Sequence, residues 1–174
     1  MVGHLGERNC VCGGRIEHRV NKFTPLSEYD SYGVGLTPEN HRRDCLRLEI
    51  FAVIDALIFV GIAVFQVLLA AGKPSGEYTW GGANAGVLPA SLRRGSAVSA
   101  TVFIVAAFIV LIEGGVFASQ LRSGVTIGAV WILAVLLLVG TVMNGISRSS
   151  KERNLWTPVT ALVSVMTFVI AIGD

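Results

Sequence analysis

The sequence predicts an all-α fold: a four-transmembrane-helix bundle with a poorly ordered polar N-terminal segment. Of its 174 residues, 52% are hydrophobic and 15% are charged, and the mean hydropathy is +0.63, which is too apolar for an ordinary soluble domain. The charges are also segregated, lying mostly before residue 50, in residues 72–96 and in residues 147–154. Long uncharged runs are typical of membrane spans, because a charge at the bilayer centre costs a few kcal/mol or more.

The polar N-terminal segment, residues 1–48, mixes turn formers with charges and shows no periodicity. We expect it to be flexible, with a short helix near residues 41–47 leading into the membrane. Cys10 and Cys12 form a C-x-C pair, but structural zinc usually takes four ligands at tighter spacing, so we predict no metal site.

Four apolar runs follow, which predict spans at about residues 50–71, 97–119, 125–143 and 156–172. The first covers ~30 Å of hydrocarbon at ~1.5 Å per residue. Helices are expected rather than barrel strands, because the runs are long and do not alternate. The link between the second and third runs is short, which predicts antiparallel neighbours.

Four polar residues fall inside or at the end of these runs: Asp55, Gln66, Glu113 and Asn144. Asp55 and Glu113 are expected at similar depth on one side of the bilayer, because the first two spans run in opposite directions. Such groups often mark an ion or proton path. The other interpretation is that each is wetted near the interface or bonded to a neighbouring hydroxyl.

Small and polar residues recur along the fourth run at helical spacing, which indicates a packing face. Asp55, Phe59, Ile62 and Gln66 likewise share one face of the first helix. We expect glycines within the spans to serve the same close packing. The residues are Thr157, Thr160, Ser164, Thr167 and Ala171 on the fourth run, and glycines 61, 114, 115, 128 and 140.

The orientation depends on which Lys and Arg residues are counted. Near the membrane, the first and third loops hold six, and the opposite side holds four, which favours loops 72–96 and 144–155 in the cytoplasm. Counting the four basic residues from Arg8 to Lys22 reverses this result. One hypothesis is that native translation starts at a non-Met codon near the first helix, so that residues 1–45 are not in the native product. Native protein beginning at Met1 would contradict it.

The two loops predicted on one membrane face carry the recognition candidates. Trp80, followed by two glycines, suggests an aromatic anchor at the headgroup level with a tight backbone reversal. We predict that Arg93 or Arg94 pairs with Glu152 and ties the loops together, although an exposed pair contributes under about 1 kcal/mol. The full set is Trp80, Gly81, Gly82, Arg93, Arg94, Glu152, Arg153 and Trp156.

Both loops resemble the signature loops of a widespread, functionally uncharacterised group of small four-helix bacterial integral membrane proteins. The matching patterns are PxGxxxWGG…LPxxLRxxS, from Pro74 to Ser96, and NxxSxSxxERxxWxP, from Asn144 to Pro158. The resemblance covers about residue 57 to the C-terminus, and the N-terminal tail is not part of it. It implies the fold and a bacterial cell membrane location, and it supplies no activity.

No P-loop, zinc-protease helix, dinucleotide fingerprint or nucleophile elbow occurs in the sequence. We therefore expect a non-catalytic accessory or partner-binding component, without a cofactor. The expected partners are the lipid bilayer and another membrane protein or a second copy; no basic patch with interleaved aromatics suggests nucleic acid. The alternatives are an oligomeric proton-coupled transporter or channel using the intramembrane carboxylates, and a membrane enzyme acting on lipid or quinone.

Overall fold

A computed structural model of the chain describes residues 38–173, and within that range the fold is all-α, as predicted. The four long helices are α1 (Pro38–Ala70), α2 (Ala90–Glu113), α3 (Gly124–Gly145) and α4 (Ser150–Ile172). Each is long and apolar enough to cross a membrane. The predicted flexible tail up to residue 37, including Cys10 and Cys12, lies outside the described residues.

The helices pack as two hairpins, α1 on α2 and α3 on α4, with α1 also contacting α4. The centre of the bundle is filled by small and aliphatic side chains around one large ring, that of Phe59, which is fully buried. Small side chains let membrane helices approach closely. The buried alanines of this core cluster are Ala52, Ala56, Ala106, Ala107 and Ala171.

Large apolar side chains cover the outside of the bundle. Leu57 on α1, Val98 on α2, Ile132 on α3 and Val165 on α4 are each more than 60% exposed. In water, an apolar surface on all four helices would favour aggregation, whereas in a bilayer the same surface contacts lipid hydrocarbon. The chain therefore has the construction of a multi-pass membrane protein.

The inward faces follow the periodicity of the sequence. On α1, Asp55, Phe59 and Ile62 are buried, and on α4 Ser164 and Thr167 are buried. The Thr167 hydroxyl donates to Asp55 Oδ2 at 2.8 Å, so the two predicted faces meet. The polar stripe of α4 is thus a packing face.

Residues 41–47 are helical, as expected, and they are continuous with the first span rather than a short helix of their own. One uninterrupted helix runs from Pro38 through the apolar run to Ala70. Proline suits a first helical turn, where its missing N–H has no intrahelical partner in any case. The boundary expected near residue 49 therefore lies inside a helix.

The bounds of α2 also differ from the apolar run at residues 97–119. The helix begins directly after Pro89 and ends at Glu113. Gly115 adopts φ 75°, its N–H donates to Ile112 O, and Val116 N–H donates to Leu111 O. This is a Schellman ending, so the chain leaves the helix although the next residues are apolar. Glu113 accordingly lies at the helix end rather than within the span.

Of glycines 61, 114, 128 and 140, only Gly114 serves the close packing predicted for it. A Cβ added to Gly114 would collide with Ala52 Cβ, so α1 and α2 approach closely there. A Cβ added to Gly61, Gly128 or Gly140 would meet nothing within 4 Å, so all three face open space. For these three residues the packing interpretation was wrong.

Candidate functional site

The connection between α1 and α2 is a folded element. It contains two single-turn helices, Gly76–Tyr78 and Trp80–Gly82. Gly76 N–H donates to Gly86 O at 2.9 Å, and a side chain at residue 76 would collide with Asn84 O. The loop closes on itself because glycine permits this close backbone approach.

Glu152 joins this connection to the one between α3 and α4. Its Oε2 accepts a hydrogen bond from Gly81 N–H at 2.9 Å and another from Ser147 Oγ at 2.5 Å. Glu152 is 8% exposed and lies in the first turn of α4, where the helix dipole favours a negative charge. We call the joined residues 71–89 and 146–153 the cap.

Two further hydrogen bonds hold the cap to α4. Ser149, the N-cap residue of α4, accepts from Glu152 N–H and donates to Glu77 O at 2.7 Å. Trp156 Nε1 donates to Tyr78 O at 2.7 Å. Both bonds end on backbone carbonyls in the connection between α1 and α2. They therefore fix the backbone conformation of that connection as well as its distance from α4.

The backbone reversal predicted at Trp80 is present. Trp80, Gly81 and Gly82 have φ values of 54°, 73° and 68°, all in the left-handed region that favours glycine. This backbone conformation directs Gly81 N–H toward Glu152. It also packs Gly82 against Ser149: a Cβ added to Gly82 would lie 2.5 Å from the Ser149 Cβ. Trp80 is 44% exposed, and its ring lies over Gly95.

The predicted ion pair between Arg93 or Arg94 and Glu152 is not what joins the loops. Arg93 Nε instead donates to Ala70 O at 2.8 Å, one of the last carbonyls of α1. Arg94 lies exposed in the first turns of α2. Arg153 is exposed and donates to Ser147 O at 3.1 Å.

A polar cavity of about 110 Å³ lies beneath the cap, with residues from all four helices in its wall. It holds two of the four polar residues expected within the membrane, Gln66 and Asn144, which the sequence did not place together. Asn144 Nδ2 lies 3.5 Å from Thr160 Oγ1. The polar lining is completed by Thr79, Glu152, Trp156 and Thr160.

Asp55 and Glu113 lie away from the cap: Asp55 contacts Thr167 in the C-terminal half of α4, and Glu113 is the last residue of α2. Each has its own partner: Asp55 accepts from Thr167, and Glu113 Oε2 lies 3.4 Å from Arg122 Nε. No hydrogen bond joins the two carboxylates. The space beside Glu113 has no room for a water molecule.

Among the side chains that the structure describes, no three of His, Cys, Asp or Glu come together as a possible metal site. Comparison of the chain with protein-family models, curated proteins and solved structures gave no match. The site is therefore described by its own geometry. Sequence reasoning missed the roles of Ser147 and Ser149, although the Ser-x-x-Glu spacing from 149 to 152 is a helix N-cap signal.

Proposed function

We propose that this chain is a non-catalytic, partner-binding component of a bacterial cell membrane, with the cap as its recognition face. The observation that carries the proposal is the cap's internal bonding: Glu152, Ser149 and Trp156 hold two loops in one conformation. A surface ordered before binding loses less conformational entropy on association. Trp80 and Arg94 are exposed beside it, and Trp and Arg are the residues that most often dominate binding energy.

The charge of the cap region favours an acidic segment of another membrane protein as the partner. Lys73, Arg148 and Arg153 are exposed within the cap and Arg94 is exposed next to it, whereas Glu152 is buried and Glu77 is paired with Lys151 at 2.8 Å. Complementary charge speeds association and fixes orientation. The Lys and Arg count near the membrane favours a cytoplasmic position for this face, and the loop resemblance to the bacterial group supports the membrane location.

Affinity purification of the tagged full chain from its native membrane, after brief cross-linking, tests the proposal. Trp80→Ala and Arg94→Gln should each reduce the recovered partner severalfold. Trp131→Ala and Arg47→Gln are matched controls, because Trp131 lies on α3 and exposed Arg47 lies at the other end of the bundle. Equal recovery in all four variants would contradict the proposal.

A proton-coupled carrier is the second candidate, and one observation favours it. Asp55 and Glu113 are buried, and each keeps one carboxylate oxygen, Oδ1 and Oε1, without a hydrogen-bond partner among the described residues. Proteoliposome flux that depends on a pH gradient and is lost in Asp55→Asn and Glu113→Gln would establish the carrier and displace the first proposal. Absence of such flux would exclude the proton-coupled carrier.

A further inference from the structure

The cavity beneath the cap combines one buried carboxylate, two amides, hydroxyls and aromatic rings. From this combination we propose that it binds a primary ammonium group, supplied by a small free amine or by the ethanolamine headgroup of a lipid. The proposal does not depend on the partner-binding role of the cap, because the cavity lies beneath the cap and the partner would contact exposed residues such as Trp80 and Arg94.

Charge is the first argument. Glu152 lines the cavity, and in the described part of the chain no Lys, Arg or His lies within ion-pair distance of its carboxylate. Its Oε2 takes both hydrogen bonds that come from the cap, so Oε1 has no donor among the described residues. A buried carboxylate with one unused oxygen attracts a cation that can donate a hydrogen bond.

Acceptors for the remaining ammonium protons are the second argument. The amide of Gln66 lines the cavity and makes no hydrogen bond within residues 38–173, and its Oε1 is fully enclosed. A turn about the terminal amide torsion, which is broad for this side chain, presents that oxygen to the cavity. Thr79 and Thr160, each of which carries a hydroxyl oxygen, line the same cavity. An ammonium group has three N–H donors and no acceptor, which suits this set.

Aromatic rings are the third argument. Trp156 lines the cavity and is held in place by its hydrogen bond to Tyr78 O and by Phe65, whose ring centroid lies 4.9 Å away. Phe103 lines the cavity as well. A cation near the face of a Trp ring is stabilised by the ring quadrupole, more so where water is excluded.

The size limits the ligand. A volume of about 110 Å³ is several times the ~10–15 Å³ that one water needs, and it is far too small for a whole lipid. An ammonium group on a two-carbon arm fits, either free or as the end of a phospholipid headgroup. A trimethylammonium group is bulkier and has no N–H to donate, so choline is the matched negative ligand.

The experiment uses the purified full chain and two probes. In detergent, thermal unfolding and Trp fluorescence are measured against ethanolamine, choline and NaCl at equal ionic strength; saturable stabilisation by ethanolamine alone is expected. In nanodiscs, phosphatidylethanolamine is compared with phosphatidylcholine. A response to the lipid but not to free ethanolamine assigns the headgroup as the source, and the reverse assigns a free amine.

Variants test the site. Glu152→Gln should weaken ethanolamine binding about tenfold or more, which is the usual loss for a charge-assisted hydrogen bond. Gln66→Leu should weaken ethanolamine binding severalfold, and this variant tests the site if Glu152→Gln does not fold. Glu77→Gln is the matched control, because it makes the same chemical change outside the cavity. Equal stabilisation by ethanolamine and choline would overturn the proposal. So would the absence of any response to the two amines and the two lipids, and the cavity would then hold only water.

Discussion

At the scale of single residues, the cap depends on a buried carboxylate that has no cationic partner among the described side chains. Removing a charge from water is costly unless other groups replace the lost hydration. Here Gly81 N–H, Ser147 Oγ and the N-terminus of α4 do so. Glu152 is therefore structural, and its effect on stability should exceed that of any exposed acidic residue.

Replacing Glu152 by glutamine tests this ranking. The substitution leaves an amide oxygen that can accept both hydrogen bonds but removes the negative charge that strengthens them, so we expect a loss of roughly 1–3 kcal/mol in the free energy of unfolding. Glu77→Gln removes a pair that is half exposed, and under about 1 kcal/mol is expected. Thermal unfolding of both variants in the same detergent compares them, and equal losses would refute the role given to Glu152.

Trp156 supplies a second residue-scale test. Trp156→Phe retains an aromatic ring beside Phe65 but removes the hydrogen bond to Tyr78 O, so we expect a destabilisation of about 1 kcal/mol. Trp131→Phe is the control, since Trp131 packs edge-on against Phe168 and its indole makes no hydrogen bond to the described residues. A larger loss in the control would count against the account. Denaturant or thermal unfolding provides the measurement.

The sequence identified Glu152, Trp80 and Trp156 as important residues of the two loops, but the partner predicted for Glu152 was wrong. Opposite charges in two loops suggested an ion pair with arginine, but Arg93 binds a carbonyl at the end of α1. The donor that Glu152 uses is a backbone N–H, which every residue except proline carries. Its direction depends on left-handed φ angles at Trp80 and Gly81 that composition and periodicity do not report.

At the scale of helices, hydropathy located the apolar runs but misplaced both ends of α2. The apolar Val116 and Phe117 extended the run past its true end, where two glycines and a Schellman motif stop the helix. At the start, Arg93 and Arg94 suggested a loop, although both lie in the first turns after Pro89. Pro89 before the helix and Gly114 and Gly115 after it are local signals that would have located the two ends. A hydropathy window does not detect them, because it averages over many residues.

The approach of α1 to α2 gives a prediction at this scale. Gly114→Ala should destabilise the protein by roughly 1–3 kcal/mol, because the added methyl would overlap Ala52 Cβ. Adding Ala52→Gly should recover part of that loss. Gly128→Ala, in open space, should cause no loss and can serve as the control. Thermal unfolding is compared for the wild type, the three single variants Gly114→Ala, Ala52→Gly and Gly128→Ala, and the double variant. Additive effects in the double variant would contradict the contact.

At the scale of the whole molecule, four antiparallel helices place the cap on one face and Phe117 on the other. Single cysteines at Val87 and Phe117, in a chain without Cys10, Cys12 and Cys45, should therefore differ in reaction with a membrane-impermeant maleimide in intact cells. The orientation proposed from the charges predicts labelling at residue 117 and protection at residue 87. Labelling of both positions would contradict the single span, α2, that separates residues 87 and 117, and labelling of residue 87 alone would contradict the proposed orientation.

The central claim is that two loops distant in sequence form one cap on one membrane face. A chain with Gly82→Cys and Ser149→Cys tests it most directly in native membranes, because an added Cβ at residue 82 lies 2.5 Å from Ser149 Cβ. A separation increase of about 1 Å reaches disulfide geometry. Mild oxidation should produce an intramolecular cross-link, whereas Gly82→Cys with Gln120→Cys, at opposite ends, should produce none. Two free, reactive thiols in the first variant would contradict the account.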